Sequence, residues 1–206
     1  MKSKKIYLVR HGQTDYNLKG IVQGSGIDAS INATGRKQAD QFFDSYKNVS
    51  FDKVYTSALQ RSIQSVNKFI ELGIPHKIST GLNEINWGTR EGKVIIPGED
   101  VYFQSVITAW QLGNTSLEME GGESPEEVKE RQKPDLQEIT DSDDDTILIC
   151  MHGRAMRIFL CHILDYPLSR MDEFEHHNLC LYLIKYENGI FNIEQANNTD
   201  HLEQGS

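Results

Sequence analysis

Short apolar runs and longer stretches of helical spacing follow one another along the chain. Ile6-Tyr7-Leu8-Val9 is apolar at consecutive positions, the pattern of a strand buried on both faces. It runs directly into Arg10-His11-Gly12, so those residues are expected just past its C-terminal end. Gly, Ser, Asp and Asn across 20–33 predict a loop. Ala39, Phe42, Phe43 and Tyr46 give an apolar face to a predicted helix over 34–46. Lys53-Val54-Tyr55-Thr56 reads as a second strand. Ser57 then reads as the N-cap of a helix reaching about residue 72, closed by Gly73 and Pro75. Lys77-Ile78-Ser79 predicts a short third strand.

The stretch 93–120 is the least regular. It opens with Val94-Ile95-Ile96-Pro97-Gly98 and predicts a short helix over 101–112, on a surface insertion near the mouth of any site. Ser124-Pro125-Glu126-Glu127 is a helix start, with Ser at the N-cap, Pro at the first position and Glu at the third. That helix is expected to run to about Lys133, with Pro134 kinking or ending it. The acidic run Asp141-Ser142-Asp143-Asp144-Asp145 reads as a solvated turn. It lacks the glycine and distal glutamate of an EF-hand. Thr146-Ile147-Leu148-Ile149-Cys150-Met151 is another buried strand. It ends at His152-Gly153-Arg154 and predicts a helix over 155–164. Residues 179–186 and 190–194, around Gly189, read as a terminal hairpin.

Strands alternating with helices predict a three-layer α/β/α sandwich on a mostly parallel central sheet. One domain over 1–206 is the expectation for this length. Functional groups in such sheets gather beyond the C-terminal ends of the strands. Two strands here end in histidine followed by glycine, His11-Gly12 and His152-Gly153, and their ends are expected to converge.

Charge and cysteine usage narrow the function classes. A net charge of -9 and a pI near 5.2 argue against nucleic acid or an anionic membrane as partner. Three cysteines, none in a C-x-x-C pair, read as buried thiols in a reducing compartment. The apolar run at 6–9 is too short for a signal-peptide core, and a cytoplasmic location is expected. His162 reads as a packing residue. His76 and His201 read as surface residues, and His176-His177 lacks the further ligands a metal would need.

A phosphomonoester carries about -1.5 to -2 charges near neutral pH. An enzyme acting on it must neutralise that charge, aim a nucleophile in line and protonate the leaving oxygen. Arginine matches phosphate oxygens with its planar fork, a neutral imidazole can attack, and a carboxylic acid can give the proton. Residues of these types recur in Arg10-His11-Gly12-Gln13-Thr14 with Asn17, and in Gln23-Gly24 with Asp28. Gly35 with Gln38-Ala39, Thr56-Ser57-Ala58-Leu59-Gln60-Arg61 and Leu82-Asn83-Glu84 with Gly88 and Glu91-Gly92 come next. Gly122-Glu123-Ser124 and Met151-His152-Gly153 complete the set. In this order they resemble the histidine phosphatase superfamily, of phosphoglycerate-mutase-like fold.

The resemblance implies that His11 is the nucleophile and becomes a phosphohistidine. Arg10, Arg61 and His152 would complete the phosphate pocket. Glu84 would protonate the leaving group and then activate water, with Glu91 structural. Asn17, Gln23 and Gly24 would touch phosphate or substrate, and Gly153 would let backbone approach. No metal or other cofactor is implied. Arg61, one turn into a helix capped by Ser57, would add the positive end of that helix.

Glycolytic mutases of this family follow the acidic donor with Arg-His-Tyr-Gly, where this chain has Ile85-Asn86-Trp87-Gly88. The chain also carries less inserted material to keep water from the phosphohistidine. Both features favour a phosphatase acting on a small phosphorylated metabolite, as a monomer or homodimer. Mutase-type transfer is the alternative, and a phosphate- or phosphoprotein-binding module the second. Tyr102, Phe103 and Trp110 would line an apolar substrate pocket or form a satellite core. Arg90 and Lys93 would meet a second anionic group or only solvent.

Overall fold

The computed structural model describes residues 3–94, 96 and 100–203. Six strands form one sheet in the order β3-β2-β4-β1-β5-β6. These are β1 (Ser3–Arg10), β2 (Lys53–Ser57), β3 (His76–Ser79), β4 (Thr146–Met151), β5 (Leu181–Glu187) and β6 (Ile190–Asn198). β3, β2, β4 and β1 run parallel, while β5 and β6 add an antiparallel edge through the hairpin. Asn188 and Gly189 both have positive φ, 52° and 88°, as a tight two-residue hairpin turn requires.

Alternate side chains of β1 divide the core. Ile6 and Leu8 join one apolar cluster with Ile147, Ile149, Phe159 and Trp110. Tyr7 and Val9 join the other with Phe42, Val54, Val66 and Phe69. Helices cover both faces, because strands apolar on consecutive positions must be buried on both. α2 (Ala33–Tyr46), α3 (Gln60–Glu71) and a short terminal helix, Asp200–Glu203, supply the layer behind Tyr7 and Val9. α4 (Val101–Gln111), α5 (Pro125–Asp141) and α6 (Gly153–Ile163) supply the other. The first helix, α1 (Asp15–Leu18), is a single turn on the loop after β1.

Several expectations change. Ser57 is the last residue of β2, and Leu59 occupies the N-cap of α3 with no side-chain cap bond. Asp28 does the capping instead, its Oδ1 accepting from Gln60 N at 2.7 Å. Arg61 is thus the second residue of α3 rather than one turn in. Pro134 lies inside α5, which continues to Asp141. The buried face of Val128, Gln132, Asp135 and Ile139 holds the helix through the proline, since packing of an amphipathic face outweighs local propensity. His201 is buried, with its Nε2 2.8 Å from Leu179 O and its ring against Phe42 and Tyr46. Val106, Ile107 and Trp110 join the main core, and Trp110 stacks near Trp87, which is the satellite-core outcome. In the opening Val94-Ile95-Ile96-Pro97-Gly98, residues 95, 97 and 98 lie outside the described residues. No helix among the described residues is long and apolar enough to cross a membrane.

Candidate active site

Parallel strands bring their C-terminal ends to one edge of the sheet, and the sequence there is polar. β1 delivers Arg10 and His11, β2 delivers Ser57 and then Arg61 on α3, and β4 delivers His152. His11 N donates to Met151 O at 3.0 Å, tying the β1 and β4 ends together. The rings of His11 and His152 stand 5.1 Å apart, centre to centre.

His11 is buried, with Nδ1 2.7 Å from Gly12 O. A carbonyl oxygen can only accept, so Nδ1 carries the proton and Nε2 keeps its lone pair. Burial first, then Arg61 and Arg10, push the His11 pKa well below its ordinary value, so the ring is neutral at neutral pH. Its backbone is held by Asn178, whose Nδ2 donates to His11 O at 3.0 Å, and by Leu179 N. Gly12 N donates to Ser65 Oγ at 2.8 Å, and a Cβ at Gly12 would stand 2.8 Å from Gly35 O. Side chains are therefore excluded at that contact.

Arg61 has no exposed surface. It donates to Ile27 O at 2.6 Å, to Gly24 O at 3.1 Å and from Nε to His152 Nδ1 at 3.1 Å. With its amide oxygen toward Arg61, Gln23 accepts from Nη1 and Nε at 2.9 and 2.8 Å. Burial lowers the Arg61 pKa to about 10, which leaves the guanidinium charged at neutral pH. Because Arg61 must donate, His152 Nδ1 accepts, and Nε2–H points to Ser57 Oγ at 2.7 Å. Burial first, then Arg61, hold His152 well below its ordinary pKa, so it too is neutral.

Glu84 sits opposite, and is the leading opposite charge acting on both Arg10 and Arg61. Its carboxylate accepts from Ile85 N at 2.9 Å and from Arg154 N and Ala155 N at 3.1 and 2.8 Å. It thus sits on the first turn of α6, where backbone N–H groups lack helical partners. Arg131 of α5 fastens this loop, donating to Glu84 O and Gly81 O and pairing doubly with Glu123. Glu91 lies outside the cluster of ionised groups and accepts from Gly26 N and Trp87 N.

The structure therefore gathers Arg10, His11, Arg61, Glu84 and His152 at one place, with Gly153 beside Arg10. Gln23 and Gly24 lie against Arg61. Asn17 closes the capping box of α1 and meets Asn178 through Oδ1 at 3.2 Å. Arg90 pairs with Asp100, so it is not a free second anion contact. The sequence motifs do not point to His176, yet its Nδ1 lies 3.0 Å from Arg10 Nη1. Among the described residues no group of His, Cys, Asp and Glu is arranged to hold a metal ion.

Residues 6–199 match the model of the histidine phosphatase superfamily (branch 1). The chain is 27% identical to a broad-specificity phosphatase of Saccharomyces cerevisiae, over 98% of this chain and 88% of that one. It is 29% identical to a 2,3-bisphosphoglycerate-dependent phosphoglycerate mutase of Cytophaga hutchinsonii, over 77% and 76%. A solved mycobacterial glucosyl-3-phosphoglycerate phosphatase, complexed with VO3, matches with a TM-score of 0.84 at 22% identity. That match covers 95% of this chain and 100% of that one, and it is a likeness of fold.

Proposed function

The chain belongs to the histidine phosphatase superfamily, and on that premise we propose that it hydrolyses phosphomonoesters through a phosphohistidine at His11. The observation that carries this reading is the Nδ1 bond to Gly12 O, which leaves the Nε2 lone pair of a buried neutral imidazole free beside two arginines. Nε2 attacks phosphorus, and the bond to the leaving oxygen breaks with its electron pair. Glu84 gives that oxygen a proton. Water then attacks the phosphohistidine, loses its proton to the Glu84 carboxylate, and the P–N bond breaks to restore neutral His11. Arg10 and Arg61 offset the phosphoryl charge, so the reading needs no metal.

The substrate is a small phosphorylated metabolite, because His11 is only 3% exposed and a slender phosphate-bearing group reaches it best. Water rather than a second substrate is the acceptor, on the strength of Ile85-Asn86-Trp87 after Glu84. The mutase among the similar proteins keeps phosphoryl transfer to a phosphoglycerate as the second reading. The test is phosphate release from p-nitrophenyl phosphate and a panel of phosphomonoesters, with 3-phosphoglycerate and 2,3-bisphosphoglycerate included. Turnover that survives EDTA and is abolished in His11→Ala is expected. No turnover on the whole panel would overturn the enzyme reading, and isomerised phosphoglycerate without phosphate release would favour the mutase.

A further inference from the structure

The contact between His176 and Arg10 joins two residues 166 positions apart. Arg10 Nη1 must donate, so His176 Nδ1 accepts. The His176 ring also lies against the start of α6. A Cβ at Gly153 would stand 2.8 and 2.9 Å from its Cε1 and Nε2, and 3.4 Å from Arg10 Nε. Glycine at 153 thus makes room for the imidazole and the guanidinium together. Arg10 Nε is buried and has no hydrogen-bond partner among the described residues. In a fold where buried donors are nearly all satisfied, such a donor marks a place for a ligand acceptor. Burial and the neighbouring Arg10, Arg157 and Arg154 keep His176 neutral, far below its ordinary pKa. Its acceptor is therefore available throughout the neutral range.

We propose that His176 is a positioning residue, which holds the plane of the Arg10 guanidinium so that its unpaired N–H groups face the substrate phosphate. The alternative acceptor would be a carboxylate, which would cancel the charge Arg10 brings. A neutral imidazole fixes the geometry and leaves the charge in place. The neighbouring charged side chains on this side are engaged elsewhere. Arg157 Nε donates to Phe174 O, and Arg154 and Arg157 both pair with Asp172.

The inference rests on the phosphatase reading, and its test separates the two. His176→Phe removes the acceptor, and His176→Asn replaces Nδ1 with an amide oxygen at the same branch point. With p-nitrophenyl phosphate, kcat/KM should fall about tenfold in His176→Phe, the scale of one oriented charge-assisted hydrogen bond. His176→Asn should recover most of it. In an Arg10→Ala background, His176→Phe should change kcat/KM by less than about twofold. Equal loss in both backgrounds, or equal activity of the Phe and Asn variants, would overturn the proposal. Calorimetric binding of inorganic phosphate gives a second readout that needs no turnover. Weaker binding in His176→Phe than in wild type is expected there even if the enzyme reading fails, and unchanged affinity would overturn the proposal.

Discussion

A single hydrogen bond decides which nitrogen of His11 can react. Gly12 O takes the Nδ1 proton, so the chemistry belongs to Nε2. Glu84 is held by three backbone N–H groups, a cradle that also accommodates a neutral amide oxygen. Glu84→Gln should therefore fold normally yet lose the proton donor. Turnover of an alkyl phosphate should fall about 10²–10⁴-fold, and that of p-nitrophenyl phosphate far less, because its phenolate leaves without a proton. Steady-state rates on both substrates check this, and equal losses would contradict the role. At this scale the sequence is legible where residues sit at strand ends, as with Arg10, His11 and His152. His176 is not legible, because Glu173-Phe174-Glu175-His176-His177 has no periodic pattern and its partner lies across the fold. Asn178, which holds the His11 backbone, is hidden for the same reason.

Elements are legible where the apolar period is clean and less so where capping is remote. β1 and β4 match their apolar runs nearly to the residue, because buried strands carry their own signature. The cap of α3 escapes a local reading because Asp28, 32 residues upstream, supplies it, and no local motif reveals such a partner. The Ser57 hydroxyl instead meets Ser62 Oγ at 2.7 Å and His152 Nε2, so it serves the site rather than the helix. Pro134 carries a local signal to break α5, but tertiary packing takes the helix through it. The proline still leaves its turn without one backbone hydrogen bond. Pro134→Ala should stabilise the protein by about 2 kcal/mol. That is the propensity difference of about 3 less the entropy that proline removes from the unfolded chain. Urea unfolding measures it, and a less stable variant would show that the proline is accommodated without strain.

Across the whole molecule, the sheet changes from parallel to antiparallel at β1. Its central strand therefore ends between β4, which brings His152, and the turn that brings His176 and Asn178. Burying so many imidazoles has a consequence for stability. His11, His76, His152, His162, His176 and His201 all have folded pKa values below the ordinary 6.5. Below pH 6.5 the unfolded chain binds more protons than the folded one, so stability is complete above 6.5 and is lost as pH falls. Carboxylates held low in the fold, such as Asp172 and Glu173, add to this only near and below their own ordinary range. Scanning calorimetry should show Tm falling by about 3 °C or more between pH 6.5 and 5, and a constant Tm would contradict the buried neutral state.

The central claim is a covalent one, and it can be caught. Glu84→Gln mixed with p-nitrophenyl phosphate and quenched in alkali, where phosphohistidine survives, should carry one phosphoryl group. Peptide mass spectrometry should place it on His11, with none in His11→Ala. A phosphoryl group on another residue, or turnover with no phosphorylated protein at any time after mixing, would contradict the account.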